Sequence, residues 1–148
     1  MLPLELFNHC KNELKKKFEV LEDRKRELHQ ALSSDHKSSA GNKHETGRAM
    51  DQLEREKLGE QIKKTEIQQQ VLHSIQKIEK FKTVGLGSVV LTNNANYYIS
   101  IPVGSCSINS QIYYCISTQS PIGSLLLGKK VGDSIQFNKQ LIRINKLM

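Results

Sequence analysis

The sequence predicts an α+β protein: an antiparallel helical hairpin over residues 1–82, then a small antiparallel β domain with one short helix over residues 83–148. Three observations predict it. Apolar residues in the first third recur at alternating three- and four-residue steps, the spacing of one helix stripe. From Gly87 the apolar period changes to two, the spacing of a strand. The charge density falls at the same place. Residues 1–82 hold 17 of the 22 Lys and Arg and 14 of the 15 Asp and Glu, which leaves five basic residues and one acidic residue beyond Lys82. A shift that sharp marks a boundary near Lys82-Thr83.

The first helix is predicted over residues 4–32. Leu4, Phe7, Leu14, Phe18, Leu21, Leu28 and Leu32 form its stripe, with Lys11 and Lys25 interrupting. A stripe that narrow suits a coiled-coil seam rather than a globular core. Residues 33–47 lose the pattern. Small polar residues with Gly41 and Gly47 predict the tip of the hairpin. A second helix follows, from about His44 to Phe81, with Met50, Leu53, Leu58, Ile62, Leu72, Ile75 and Ile78 on its stripe. Thr65, Gln68 and Gln69 weaken its middle. Two helices of similar length joined by a short link pack antiparallel. Each would be about 45 Å long, which makes a thin rod.

Five strands are predicted next: Ser88–Leu91, Tyr97–Val103, Gln111–Ser117, Ser134–Phe137 and Leu141–Asn145. Turns fall at Asn93-Asn94-Ala95-Asn96, at Gly104-Ser105 and at Asn138-Lys139-Gln140. Tyr97-Tyr98 and Tyr113-Tyr114 are adjacent pairs on strands, so one ring of each pair points into the core. The short helix lies at Pro121–Leu127, with Ser120 as its cap and Pro121 at its first position, where a missing N–H costs nothing. Gly128 stops it, and Val131-Gly132-Asp133 turns the chain into the next strand.

Composition excludes several classes. The net charge of +7 and the 25% content of charged residues describe a polar, basic chain. No apolar run approaches the ~20 residues that span a bilayer, and the first residues carry no basic leader, so a cytoplasmic protein without a membrane role is expected. Cys10, Cys106 and Cys115 form no Cys-x-x-Cys pair, and the five histidines show no metal-ligand spacing. Reduced thiols in half-buried positions are the expectation. The sequence offers no nucleophile constellation, no phosphate loop and no metal cluster, so no catalytic residue and no metal site of its own are assigned.

The run Ser120-Pro121-Ile122-Gly123-Ser124-Leu125-Leu126-Leu127-Gly128-Lys129-Lys130-Val131-Gly132-Asp133 resembles the C-terminal signature of the Gre family of bacterial transcript-cleavage factors. That signature reads roughly Ser-Pro-Ile-Ala-Arg-Ala-Leu-Ile-Gly-Lys-x-x-Gly-Asp. Ser120, Pro121, Ile122, Leu126, Gly128, Lys129, Gly132 and Asp133 fit it, while Ser124 stands for the arginine and Leu125 for the alanine that follows. The resemblance implies an N-terminal coiled coil and an FKBP-like C-terminal domain. It implies binding to bacterial RNA polymerase, with the C-terminal domain on the rim of the secondary channel and the coiled coil inside it. Contact with RNA and DNA would then be indirect, through the polymerase. Ser120, Pro121, Ile122, Gly123, Lys129 and Asp133 become candidates for polymerase binding.

The resemblance also implies a tip whose carboxylates help the polymerase hold a catalytic magnesium, since a carboxylate is a hard oxygen ligand. Here the family's Gly-Asp-Leu-Ser-Glu-Asn tip is replaced by Ala40-Gly41-Asn42-Lys43-His44-Glu45-Thr46. The tip candidates are Asp35, Lys37, Asn42, Lys43, His44 and Glu45. Asp35 and Glu45 are the candidate ligands of a magnesium shared with the polymerase, and no cofactor of the chain's own is expected. Asn42 with Glu45 also reads as a capping box. Lys37, Lys43 and Arg48 make the tip basic, which suits phosphate or a polymerase carboxylate better than a cation.

Three functional readings follow. The leading one is a monomeric Gre-like elongation regulator, not itself an enzyme, that stimulates transcript cleavage or occupies the channel. The second is a structural coiled-coil interaction protein, against which Lys11 and Lys25 in the seam argue. The third is a peptidyl-prolyl isomerase. It needs an aromatic pocket, yet the chain has no tryptophan and Phe137 is the lone phenylalanine of the C-terminal part.

Overall fold

The computed structural model describes residues 2–35, 43–75 and 80–148, with side chains for all of these except 32–35 and 43–48. The order of elements is α1 (Leu2–Asp35), α2 (Lys43–Ser74), β1 (Val89–Thr92), β2 (Asn96–Ile99), β3 (Gly104–Ile108), β4 (Gln111–Ile116), α3 (Pro121–Leu126), β5 (Ser134–Phe137) and β6 (Gln140–Leu147). The chain divides into two compact units. One comprises Met1–Glu13 with Gln69–Met148, and the other Leu14–Gln68.

The Leu14–Gln68 unit is the helical hairpin. Residues 22–31 of α1 line grooves with residues 51–62 of α2, the later part of one helix against the earlier part of the other, as antiparallel packing requires. Leu14 and Leu21 are buried on α1, and Leu58 and Thr65 on α2. Each pair is seven residues apart, the repeat of a coiled-coil seam. Thr65 therefore occupies a seam position although it is polar. Its hydroxyl donates to the Gln61 carbonyl one turn back, at 2.8 Å, and so is satisfied within its own helix. Met50 and Leu53, expected on the seam, are 66% and 54% exposed. Both helices also run differently at their ends from the sequence reading. Ser33–Asp35 continue α1, while α2 stops at Ser74, so Phe81 is not helical.

The other unit is built on a six-stranded sheet in the order β3-β4-β2-β1-β6-β5. Four of its five pairings are antiparallel, and β2 with β4 is parallel. The parallel pair has a local cause. The predicted strand Tyr97–Val103 ends at Ile99, ahead of Pro102, which has no N–H for a ladder. The chain then crosses to the sheet edge as β3 and returns as β4 between β3 and β2. Gly104 is thus a strand residue at φ +86° rather than a turn, and the tight turn lies at Asn109-Ser110, both with positive φ. Two consecutive left-handed residues make a two-residue hairpin whose twist matches that of its strands. Asn138-Lys139 repeats this device between β5 and β6, where the turn was expected.

Both faces of the sheet are covered. On one face Val90, Tyr97, Ile99, Ile142 and Ile144 pack with Leu126 of α3 and Ile135 of β5. On the other, Tyr98, Ser100 and Cys115 meet the start of α1, where Leu6 and Cys10 are fully buried four residues apart on one helix face. Burying Leu6 alone contributes about 1.5–3 kcal/mol. The first turns of α1 therefore belong to the sheet unit. Leu4, expected on the buried stripe, is 47% exposed, because the buried face here follows Leu6 and Cys10 instead. The end of α2 serves the same unit, since Leu72 is buried and Ile75 lies against Gly87, where an added Cβ would stand 2.9 Å from its Cγ2.

Candidate functional site

The segment from Ser117 to Asp133 links β4 to β5 through α3. Ser120 sits before the helix in extended backbone, and its hydroxyl accepts from the Gly123 N–H at 3.1 Å. The same hydroxyl donates to the Ser117 carbonyl at 2.7 Å, and the Ser120 N–H reaches that carbonyl at 3.2 Å. Pro121 occupies the first helical turn, where no partner for an N–H exists. Gly123 is buried against this knot. A Cβ there would stand 2.1 Å from the Ser117 oxygen, so the position accepts no larger residue without a shift.

The helix ends on a second set of backbone bonds. The Gly128 N–H donates to the Val84 carbonyl at 2.8 Å, and the Val84 N–H to the Lys129 carbonyl at 2.7 Å. Gly128 and Gly132 have φ of +81° and +94°, which a Cβ would strain. Asp133 closes the turn, since its carboxylate accepts from the Lys130 N–H at 2.9 Å. Gly132 N–H and Asp133 carbonyl then pair with Ile144 of β6.

Of the candidates in this segment, Ser120, Gly123 and Asp133 spend their distinctive atoms inside the fold, and Ile122 packs against the Leu126 cluster. Pro121 and Lys129 are exposed. Sequence reasoning missed the apolar side chains beside them. Leu125, Leu127 and Val131 are 40%, 46% and 53% exposed, with Lys129 and Lys130 between them in the chain. A short helix packed by Ile122 and Leu126, one turn apart, leaves Leu125 and Leu127 outside, and that spacing is the available signal. Three large apolar side chains are thus exposed within seven residues that also hold Lys129 and Lys130. Phe137, the aromatic that an isomerase pocket would need, packs against the core cluster.

At the tip, Asp35 is the last residue of α1 and Lys43, His44 and Glu45 open α2. Their side chains, and Lys37 and Asn42 altogether, lie outside the described residues, as does the Asn42–Glu45 capping box. Among the described residues, no group of three or more His, Cys, Asp or Glu could hold a metal ion. No described helix is long and apolar enough to cross a membrane.

Residues 79–144 match the family model for the C-terminal domain of the transcription elongation factors GreA and GreB. Over these residues the chain is similar to the C-terminal domain of the Gre family. The match takes in β1 to β5, the α3 segment and most of β6. The helical hairpin of α1 and α2 precedes it in the chain. Among solved structures, the Gre-like chain is similar to one described as the transcription factor Gfh1. Identity is 21%, coverage is 95% of this chain and 92% of that one, and the TM-score is 0.35. It is also similar to the GreA factor homolog 1 (Gfh1) protein of Thermus thermophilus. Identity is 19%, coverage is 96% and 94%, and the TM-score is 0.36. No curated protein matches the sequence.

Proposed function

We propose that this Gre-like chain is a regulator of transcription elongation that binds RNA polymerase at its secondary channel, as a monomer, without catalysis of its own. The observation that carries the reading is the family match over residues 79–144, together with the intact turn framework from Ser120 to Asp133. In this reading the C-terminal domain docks through Leu125, Leu127, Val131, Lys129 and Lys130. The hairpin enters the channel. Its tip decides whether the transcript is cleaved or the channel only occupied. The replacement of the family's tip pattern by Ala40–Thr46, with Lys37, Lys43 and His44 around the carboxylates of Asp35 and Glu45, favours occupation. Magnesium supplied by the polymerase would meet only those two carboxylates.

The test is retention of the purified full chain by RNA polymerase core enzyme, followed by cleavage of backtracked RNA. Binding is expected for the native chain and for the variant with Asp35 and Glu45 both replaced by alanine. Replacing Leu125, Leu127 and Val131 together by serine is expected to weaken retention at least tenfold, as loss of a docking anchor does. A folded native chain that core polymerase does not retain overturns the reading. Cleavage that depends on Asp35 and Glu45 would establish a cleavage factor instead of a channel occupant.

A further inference from the structure

The three cysteines are far apart in the chain, yet two of them meet. Cys10 lies on the buried face of α1, fully inaccessible, and Cys115 is buried on β4. Their thiols are close enough to perturb each other, and the Cys10 sulfur stands 3.3 Å from the Ser100 hydroxyl. Strand register explains the meeting. Cys115 is paired with Tyr98 on β2, two residues before Ser100, so both project toward the face that α1 covers. Cys106 is on the neighbouring strand but opposite Tyr113, while Gly104 stands opposite Cys115, and it remains partly exposed.

We propose that Cys10 and Cys115 are a thiol-oxidation site, at which a small-molecule disulfide converts the pair into a disulfide that ties the first helix to the sheet. A link requires the two sulfurs to close to about 2.05 Å, and they start from neighbouring places in the layer between α1 and the sheet. The pair is also chemically unequal. The hydrogen bond from Cys115 lowers the Cys10 thiol from its ordinary value, with Ser100 helping. Cys115 is pushed up, first by that same bond and then by burial. Cys10 is thus the attacking sulfur and Cys115 the one that resolves.

The exchange balances in two steps. The Cys10 thiolate attacks one sulfur of the oxidant RSSR, forming a mixed disulfide and releasing RS⁻, which takes up a proton. Cys115 loses its proton and attacks the Cys10 sulfur, releasing the second RS⁻, which is likewise protonated. The protein loses two hydrogens and RSSR becomes two RSH. Burial sets the rate, because the oxidant reaches Cys10 only when the first turns of α1 lift from the sheet.

The test incubates the full folded chain with oxidised glutathione to equilibrium, then blocks remaining thiols with N-ethylmaleimide. The expected product is lighter by two hydrogens before labelling, takes one label at Cys106, and yields a linked peptide pair containing Cys10 and Cys115. Cys106→Ser should form the same link, whereas Cys10→Ser and Cys115→Ser should not. Because a serine at either buried position could impair folding, the peptide map of the native chain decides independently. Three labelled cysteines, a stable glutathione adduct without the internal link, or a link to Cys106 overturns the proposal.

Discussion

Gly123 should not tolerate the alanine that the Gre signature carries at the equivalent place. A Cβ on Gly123 would stand 2.1 Å from the Ser117 carbonyl oxygen and 2.7 Å from the Ser120 hydroxyl. Carbon and oxygen do not pack that closely, so the carbonyl would have to retreat by about 1 Å, a case of overpacking. That carbonyl accepts from both the N–H and the hydroxyl of Ser120, and the hydroxyl in turn accepts from the Gly123 N–H. Weakening these three bonds costs roughly 1 kcal/mol each. The better helix propensity of alanine returns about 1 kcal/mol. The net loss is about 2 kcal/mol, or a fall of roughly 4–8 °C in Tm for a chain of this size. Gly59 supplies the control, because a Cβ there meets nothing within 4 Å. Gly59→Ala should therefore gain about 0.5–1 kcal/mol from the same chemical change. Thermal unfolding followed by circular dichroism reads both variants. A Gly123→Ala chain as stable as the native one would refute the close approach at Ser117.

Thr65→Val should stabilise the hairpin by about 0.5–1 kcal/mol, measured by urea unfolding, because a methyl in the seam replaces a hydroxyl that serves only its own helix. Ser110→Gly should gain about 1 kcal/mol in the same assay by relieving a left-handed serine at φ +66° in the β3–β4 turn. Stability should also fall in alkali. Burial holds the Tyr98 hydroxyl above its ordinary value, so above pH ~10 the unfolded chain has lost a proton that the folded chain keeps, and stability declines by up to about 1.4 kcal/mol per pH unit. The stabilising difference is fully present below that pH. Tyr98→Phe should flatten this limb of the curve, and an unchanged slope in the variant would remove Tyr98 as its source.

The elements that were legible are those whose cause is local. The heptad of α1 over Leu14 and Leu21, the Ser120-Pro121 start of α3, the Asn138-Lys139 turn and β5 all follow from residues within a few positions of one another. What was illegible depends on tertiary partners. Leu6 and Cys10 are buried because a sheet lies beneath them, and nothing in residues 2–13 announces a sheet. Thr65 reads as a break in a stripe, yet its seven-residue distance from Leu58 places it on the seam, where spacing outweighs polarity. Pro102 is the visible clue to the parallel pairing of β2 and β4, because its lost N–H ends a strand that the apolar run around it would otherwise continue. The same contrast holds at the Ser120–Asp133 segment, where the residues that fit a pattern, Lys129 apart, shape the backbone or pack in the core.

That division has a consequence for how the segment works. Ser120, Gly123 and Asp133 make the cap and close the turn with polar atoms or a missing Cβ turned toward the backbone, and Gly128 and Gly132 supply the positive φ of the stop and the turn. Leu125, Leu127 and Val131 make no such contribution and face outward. In the proposed docking mode the matched residues other than Lys129 build the platform, and the contacts fall on Lys129 and on the unmatched Leu125, Leu127, Lys130 and Val131. The two roles separate by measurement. Ser120→Ala removes a helix cap and should cost about 1 kcal/mol of stability, with retention by core polymerase unchanged per folded molecule. Leu125→Ser changes an exposed side chain and should shift stability by no more than about 0.5 kcal/mol. In the proposed docking mode it should nevertheless weaken polymerase binding several-fold. If instead Ser120→Ala abolishes binding by a chain that still folds, and Leu125→Ser leaves it intact, the inward residues are the contacts and the platform reading is wrong.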